Sequence, residues 1–136
     1  MTGPISDAPG EAGAEPPTAT VLIVEDDPTV RELLAAVVED GGFQVATAAN
    51  GKEALEYLEA GRPASVILLD LMMPVMSGWE FREVQKRHSS YESIPLVIVS
   101  GMLEDADVRK MNAAAFLQKP VAVPELLSTM KQLGRR

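Results

Sequence analysis

The chain has 136 residues, 46% of them hydrophobic, which suits one domain with a core of its own. It has no cysteine, which excludes a disulfide framework and a thiolate metal site, and its 20 acidic against 12 basic residues give a net charge of −8 that disfavours non-specific binding to nucleic acid or an anionic membrane. No apolar run reaches the roughly 18 residues of a membrane span, and the N-terminus lacks the basic and apolar regions of a signal peptide, so a cytoplasmic protein without membrane insertion is expected.

Residues 1 to 19 read as a disordered tail. Pro4, Pro9, Pro16 and Pro17 break helices, and Ile5 is the only large apolar residue besides Met1, so burial cannot offset the entropy of ordering. A domain over residues 20 to 136 follows. Val21-Leu22-Ile23-Val24 is an apolar, mostly β-branched run, as in a strand buried on both faces, and it ends at Glu25-Asp26-Asp27. Asp27 and Pro28 open a helix, in which Val30, Leu33, Leu34, Val37 and Val38 form an apolar stripe, and Gly41-Gly42 stops it. Phe43 to Ala48 is a second strand; Asn50 with Glu53 caps a helix carrying Leu55 and Leu58.

The unit then repeats. Val66 to Leu69 is a strand ending at Asp70, and Ser77 with Glu80 forms a capping box ahead of Phe81 and Val84. Leu96 to Val99 is a strand ending at Ser100, a short helix is expected over Asp105 to Asn112, and Phe116 to Gln118 is a strand ending at Lys119-Pro120. Pro124 opens a last helix with Leu126, Leu127, Met130 and Leu133 on one face. Five strands alternating with five helices predict an α/β fold with a parallel sheet covered on both faces.

Ligands of such sheets sit at the carboxyl ends of the strands. There this sequence puts Glu25, Asp26, Asp70, Ser100 and Lys119: three carboxylates, a hydroxyl and an ammonium. Crowded carboxylates repel unless a cation joins them. All-oxygen donors with retained water suit Mg²⁺, and such an ion draws an anionic acceptor and an anionic phosphoryl donor together. Lys119 is placed to neutralise phosphoryl oxygens as a point charge, and Ser100 to donate a hydrogen bond to one. Asp27 reads as a helix cap instead, and His88, the only histidine, as a solvated residue without a catalytic partner.

The stretches Val-Glu25-Asp26-Asp27, Leu-Asp70-Leu-Met-Met-Pro74, Val-Ser100-Gly and Lys119-Pro120 resemble the response-regulator receiver domains of bacterial two-component systems, from about Thr20 to Leu133 and in the family's order. The resemblance implies a flavodoxin-like (βα)5 three-layer sandwich with strand order 2-1-3-4-5, and a magnesium-dependent phosphoprotein of phosphorelay signal transduction. It makes Asp70 the phosphoacceptor, taking its phosphoryl group from a sensor histidine kinase or phosphotransfer protein. Glu25, Asp26, Asp70 and the backbone carbonyl of Met72 become the Mg²⁺ ligands, Ser100 the switch hydroxyl, Lys119 the family lysine and Phe116 the switch aromatic. A cis bond before Pro120 is also implied. The expected state is a monomer or weak dimer.

The segment from Ser100 to Lys119 is a few residues shorter than is common in that family, and Gly101 stands where the family usually has alanine, so the fourth helix is expected to be short or irregular. Met72 and Met102 flank the path of water to the acceptor; apolar side chains there cannot orient an attacking water, so slow autodephosphorylation is expected. Nothing after Leu133 could form a DNA-binding domain, so output is expected through an unknown protein target, unless the chain is a receiver fragment of a larger regulator. Two enzyme-like or carrier alternatives fit less well. An aspartyl phosphohydrolase wants a second acid where Met72 stands, and a flavin carrier wants a phosphate cradle where Glu25-Asp26-Asp27 would repel one. A receiver-like module that binds without phosphorylation is the remaining alternative. The chain is not expected to be an enzyme.

Overall fold

The computed structural model describes residues 19–101 and 105–134. The expected tail therefore falls, apart from Ala19, outside the described residues, as does Met102. The elements are β1 (Thr20–Val24), α1 (Pro28–Asp40), β2 (Gln44–Ala48), α2 (Gly51–Glu59), β3 (Val66–Asp70), α3 (Gly78–Lys86), β4 (Leu96–Ser100), α4 (Ala106–Arg109), β5 (Ala115–Gln118) and α5 (Val123–Gly134). The strands form one sheet in the order β2-β1-β3-β4-β5, every neighbouring pair parallel.

Alternation along the strands decides which helices cover which face. Leu22, Val24, Ile67, Leu69 and Ile98 point to the side covered by α2, α3 and α4, where Leu55, Leu58, Phe81 and Val108 meet them. Val21, Ile23, Val66, Leu68, Val97 and Val99 point to the other side, against Leu34 and Val38 of α1 and Leu126, Met130 and Leu133 of α5. The three central strands are buried along their whole length, so their sequences are continuous apolar runs.

The expected caps are present. Asp27 accepts the N–H groups of Thr29 and Val30, Asn50 that of Glu53, and Ser77 with Glu80 completes a capping box. Gly42, at φ 98°, turns the chain out of α1.

Several expectations need correction. Phe43 is buried but precedes β2, because its N–H turns back to the Val38 carbonyl of α1 at 3.4 Å and the pairing with the β1 side begins at the Gln44 N–H. Leu33 is 63% exposed, so the apolar stripe of α1 is narrower than its sequence suggests. β5 starts a residue earlier than expected, at Ala115, and α5 at Val123 rather than Pro124. α4 is a single turn inside the expected range.

α3 approaches the end of β3 closely enough to require glycine at position 78. A Cβ there would lie 2.6 Å from the Asp70 carbonyl oxygen and 2.8 Å from the Leu71 Cα, both backbone atoms that cannot move aside cheaply. Gly78→Ala is expected to cost about 1–3 kcal/mol through overpacking, measured by urea unfolding; an unchanged midpoint would mean that the helix can retreat without loss.

Candidate functional site

The fold brings Glu25, Asp70, Ser100 and Lys119 to one edge because each stands at, or directly after, the carboxyl end of a different strand. Together with Asp26, Asp27, Val30, Met72 and Gly101 they line a cavity of about 440 Å³. Carboxylate oxygens of Glu25, Asp26 and Asp70 all lie within 4.8 Å of one another. Glu25 and Asp70 are buried and Asp26 is partly so.

One ammonium holds the acidic pair together. Lys119 Nζ is 3.3 Å from Glu25 Oε1 and 3.4 Å from Asp70 Oδ1. The other oxygen of Glu25 accepts the Asp27 N–H at 3.2 Å, and Asp70 Oδ1 accepts the Met72 N–H at 3.3 Å. Burial raises the Glu25 carboxyl above its usual range, and the nearby Asp70 charge adds to this. The Asp27 N–H and Lys119 pull the other way but do not cancel the rise. For Lys119 burial pulls the pKa down, yet the Asp70 and Glu25 carboxylates outweigh it and hold the ammonium above its ordinary value. The site is thus a buried excess of negative charge that one cation only partly balances. Its donors are all oxygen, clustered and facing a cavity, which fits a hard divalent ion such as Mg²⁺.

Backbone positioning explains the geometry. The Lys119 N–H donates to the Ser100 carbonyl at 3.0 Å, tying β5 to β4 at the site, and the cis bond before Pro120 follows. Beyond Asp70 the loop is tight: the Met76 N–H donates to the Pro74 carbonyl at 2.7 Å across Val75, whose φ is 67°. A β-branched residue in that region is strained, and such strain concentrates at functional loops. The Gly51 N–H then donates to the Met76 carbonyl at 3.1 Å, which anchors the loop on α2.

Two of the residues expected to act here stand apart from the cavity or beyond description. Phe116 is half-buried against the α2–α3–α4 side of the core and is not among the cavity-lining residues. Met102 lies outside the described residues, whereas Met72 is 64% exposed at the cavity mouth. Met73, Met76 and Trp79 all pack on the α2–α3–α4 side of the core. Sequence reading missed Arg31, whose Nη1 donates to the Glu25 carbonyl at 2.8 Å and braces the strand end. Its place one turn into α1 after Asp27 is the only signal that could have pointed to it.

The family of response regulator receiver domains matches residues 21–131, and the chain belongs to that family. Response regulator Rre1 of Synechocystis is 38% identical over 127 residues, which cover 90% of this chain and 54% of that protein. Sensor kinase CckA of Brucella abortus is 38% identical over 121 residues, 85% of this chain and 12% of the kinase. The chain therefore spans about half the length of the first relative and a small part of the second. Among solved structures, the chemotaxis response regulator CheY4 of Vibrio cholerae superposes with a TM-score of 0.78 at 31% identity, covering 86% of this chain and 99% of that one. The fold is thus the flavodoxin-like arrangement with strand order 2-1-3-4-5. Receivers of this family are signalling switches, and this chain has the acidic cluster at the position its fold demands. Among the described residues no helix is long and apolar enough to cross a membrane.

Proposed function

We propose that the chain is a phosphoacceptor switch or relay of a two-component system, with Asp70 as acceptor and output through protein contacts. One observation carries the reading: three carboxylates within 4.8 Å at one sheet edge, two of them bridged by Lys119. An oxygen of Asp70 attacks the phosphorus of a phosphohistidine on a sensor histidine kinase or phosphotransfer protein. The P–N bond breaks, its electron pair stays on the imidazole, and Asp70 carries an acyl phosphate. Glu25, Asp26, Asp70 and the Met72 carbonyl would hold Mg²⁺, which when bound neutralises charge on the phosphoryl oxygens. Lys119 exchanges a carboxylate oxygen for a phosphoryl oxygen as its partner, and the Ser100 hydroxyl donates to another. Phe116 is the residue that answers the change. Asp70 is consumed once per transfer, so the chain acts as a switch rather than as a turnover enzyme.

The test is an intact-mass assay with acetyl phosphate and Mg²⁺. Wild type is expected to gain one phosphoryl group, Asp70→Asn none, and EDTA to abolish the gain. An unmodified wild type that also fails to bind Mg²⁺ would favour a module that binds partners without phosphorylation.

Met72 bears on lifetime. An apolar side chain at the mouth of the cavity offers no hydrogen bond to an attacking water, so the acyl phosphate should persist. Met72→Asn is expected to shorten the half-life of the phosphoform severalfold, followed by mass spectrometry after the donor is removed. Equal decay in both proteins would count against Met72 as a control on water.

A further inference from the structure

α4 is one turn long, and two arginines tie it to its surroundings. Arg82, on the buried face of α3, donates from Nε to the Met111 carbonyl at 3.1 Å and from Nη2 to the Asn112 carbonyl at 2.8 Å. These carbonyls lie just past Lys110, the C-cap of α4, where a cation is favoured. Arg109, the last residue of α4, places its guanidinium carbon 5.3 Å from the centroid of the Phe116 ring, within cation–π range. The same ring packs on the cluster that contains Val108 and Met111. Phe116 stands on β5 opposite Ile98, two residues before the Ser100–Gln118 pair that ends the ladder at the site.

We propose that α4 is a latch on Phe116: Arg82 fixes where the helix ends, and Arg109 covers the ring and holds it in its resting position. The inference rests on the phosphoacceptor reading, in which Phe116 moves when Asp70 is phosphorylated. A ring that moves towards Ser100 leaves the guanidinium and forfeits its attraction. The resting state is favoured by that difference, and a ligand that needs the other state binds more weakly by the fraction in which that state is populated. An exposed cation–π contact corresponds to about a 2–5-fold change in that population.

The test is the apparent affinity of the full chain for beryllofluoride in Mg²⁺, a phosphoryl mimic, in wild type and Arg109→Gln. Arg109 is exposed, so the substitution leaves the core intact. The variant is expected to bind about 2–5-fold more tightly, and the same substitution in a Phe116→Leu background should change nothing further. Without Mg²⁺, the Arg109 side-chain proton resonances should be displaced by the Phe116 ring current, and the displacement should vanish in Phe116→Leu. An Arg109→Gln protein that binds like wild type, or that gains as much in the Phe116→Leu background, overturns the latch while leaving the phosphoacceptor reading intact. A wild type that binds no beryllofluoride overturns both.

Discussion

Arg82→Ala is expected to destabilise the fold by about 2–6 kcal/mol, because two buried acceptors lose their donor at about 1–3 kcal/mol each. Arg82 is 9% exposed as a residue, and its three described bonds all go to neutral acceptors: the Met111 and Asn112 carbonyls and Gln85 Oε1 at 2.8 Å. Gln85 is itself fully buried, and its amide donates to the Tyr91 and Ile94 carbonyls at 3.1 and 3.2 Å. Two α3 side chains thus tie the turn before β4 and the turn before β5 to one helix. Truncating Arg82 leaves the Met111 carbonyl and Gln85 Oε1 short of a donor where both are buried, while the Asn112 carbonyl, on an exposed residue, can turn to water; a buried unsatisfied acceptor costs about 1–3 kcal/mol. Arg82→Met fills the volume but restores no donor, so it should recover only a minor part. Urea unfolding of both variants checks this. Losses below about 1 kcal/mol, typical of a surface substitution, would mean that water replaces the guanidinium.

That network shows where sequence reading stops. The buried face of α3 is Gly78, Phe81, Arg82 and Gln85, spaced as a helix stripe should be. Two of the four are polar, so a search for apolar periodicity finds Phe81 and Val84 and passes over the residues that carry the hydrogen bonds. The opposite error occurs at Leu33, which fits the period of α1 yet faces solvent. The strand ends were legible because β1 after Thr20, β3 and β4 are apolar until their last residue or the one after it, and a parallel sheet forces those ends to one edge. The caps were legible because Asp27, Asn50 and Ser77 act on residues two or three positions away. The shortness of α4 could be read only by setting the Ser100–Lys119 segment against the length usual in the resembled family. What holds it could not, since Arg82 and Met111 meet across 29 residues, and Phe116 meets Arg109 only once β5 and α4 are placed.

Glu25→Gln is expected to make the metal-free protein more stable at neutral pH and to abolish most of its response to Mg²⁺. Glu25 is 2% exposed and shares Lys119 with Asp70. Its folded pKa is raised above the ordinary glutamate range, chiefly by burial. For such a group the native state holds more protons than the unfolded state as pH rises through the interval between the two pKa values. Stability in EDTA is therefore lost across that interval and not regained above it. Well below the ordinary glutamate range both states are protonated and the substitution should be nearly neutral. Above the interval the variant should lead by about 0.5–2 kcal/mol, the usual gain when a functional compromise is relieved. The amide oxygen can still accept the Asp27 N–H, and Lys119 keeps Asp70. With Mg²⁺ at a hundredfold excess over its dissociation constant, wild type should gain about 2.7 kcal/mol. The variant has lost a ligand charge and should bind at least about 10–100-fold more weakly, the loss that follows even when only a group supporting a ligand is changed, and so gain far less. The measurement is thermal unfolding from pH 4 to 8, in EDTA and in Mg²⁺. A variant less stable than wild type at pH 7 in EDTA would mean that the Glu25–Lys119 pair outweighs the cost of burying the carboxylate. The acidic edge would then be a structural ion pair first and a metal site second.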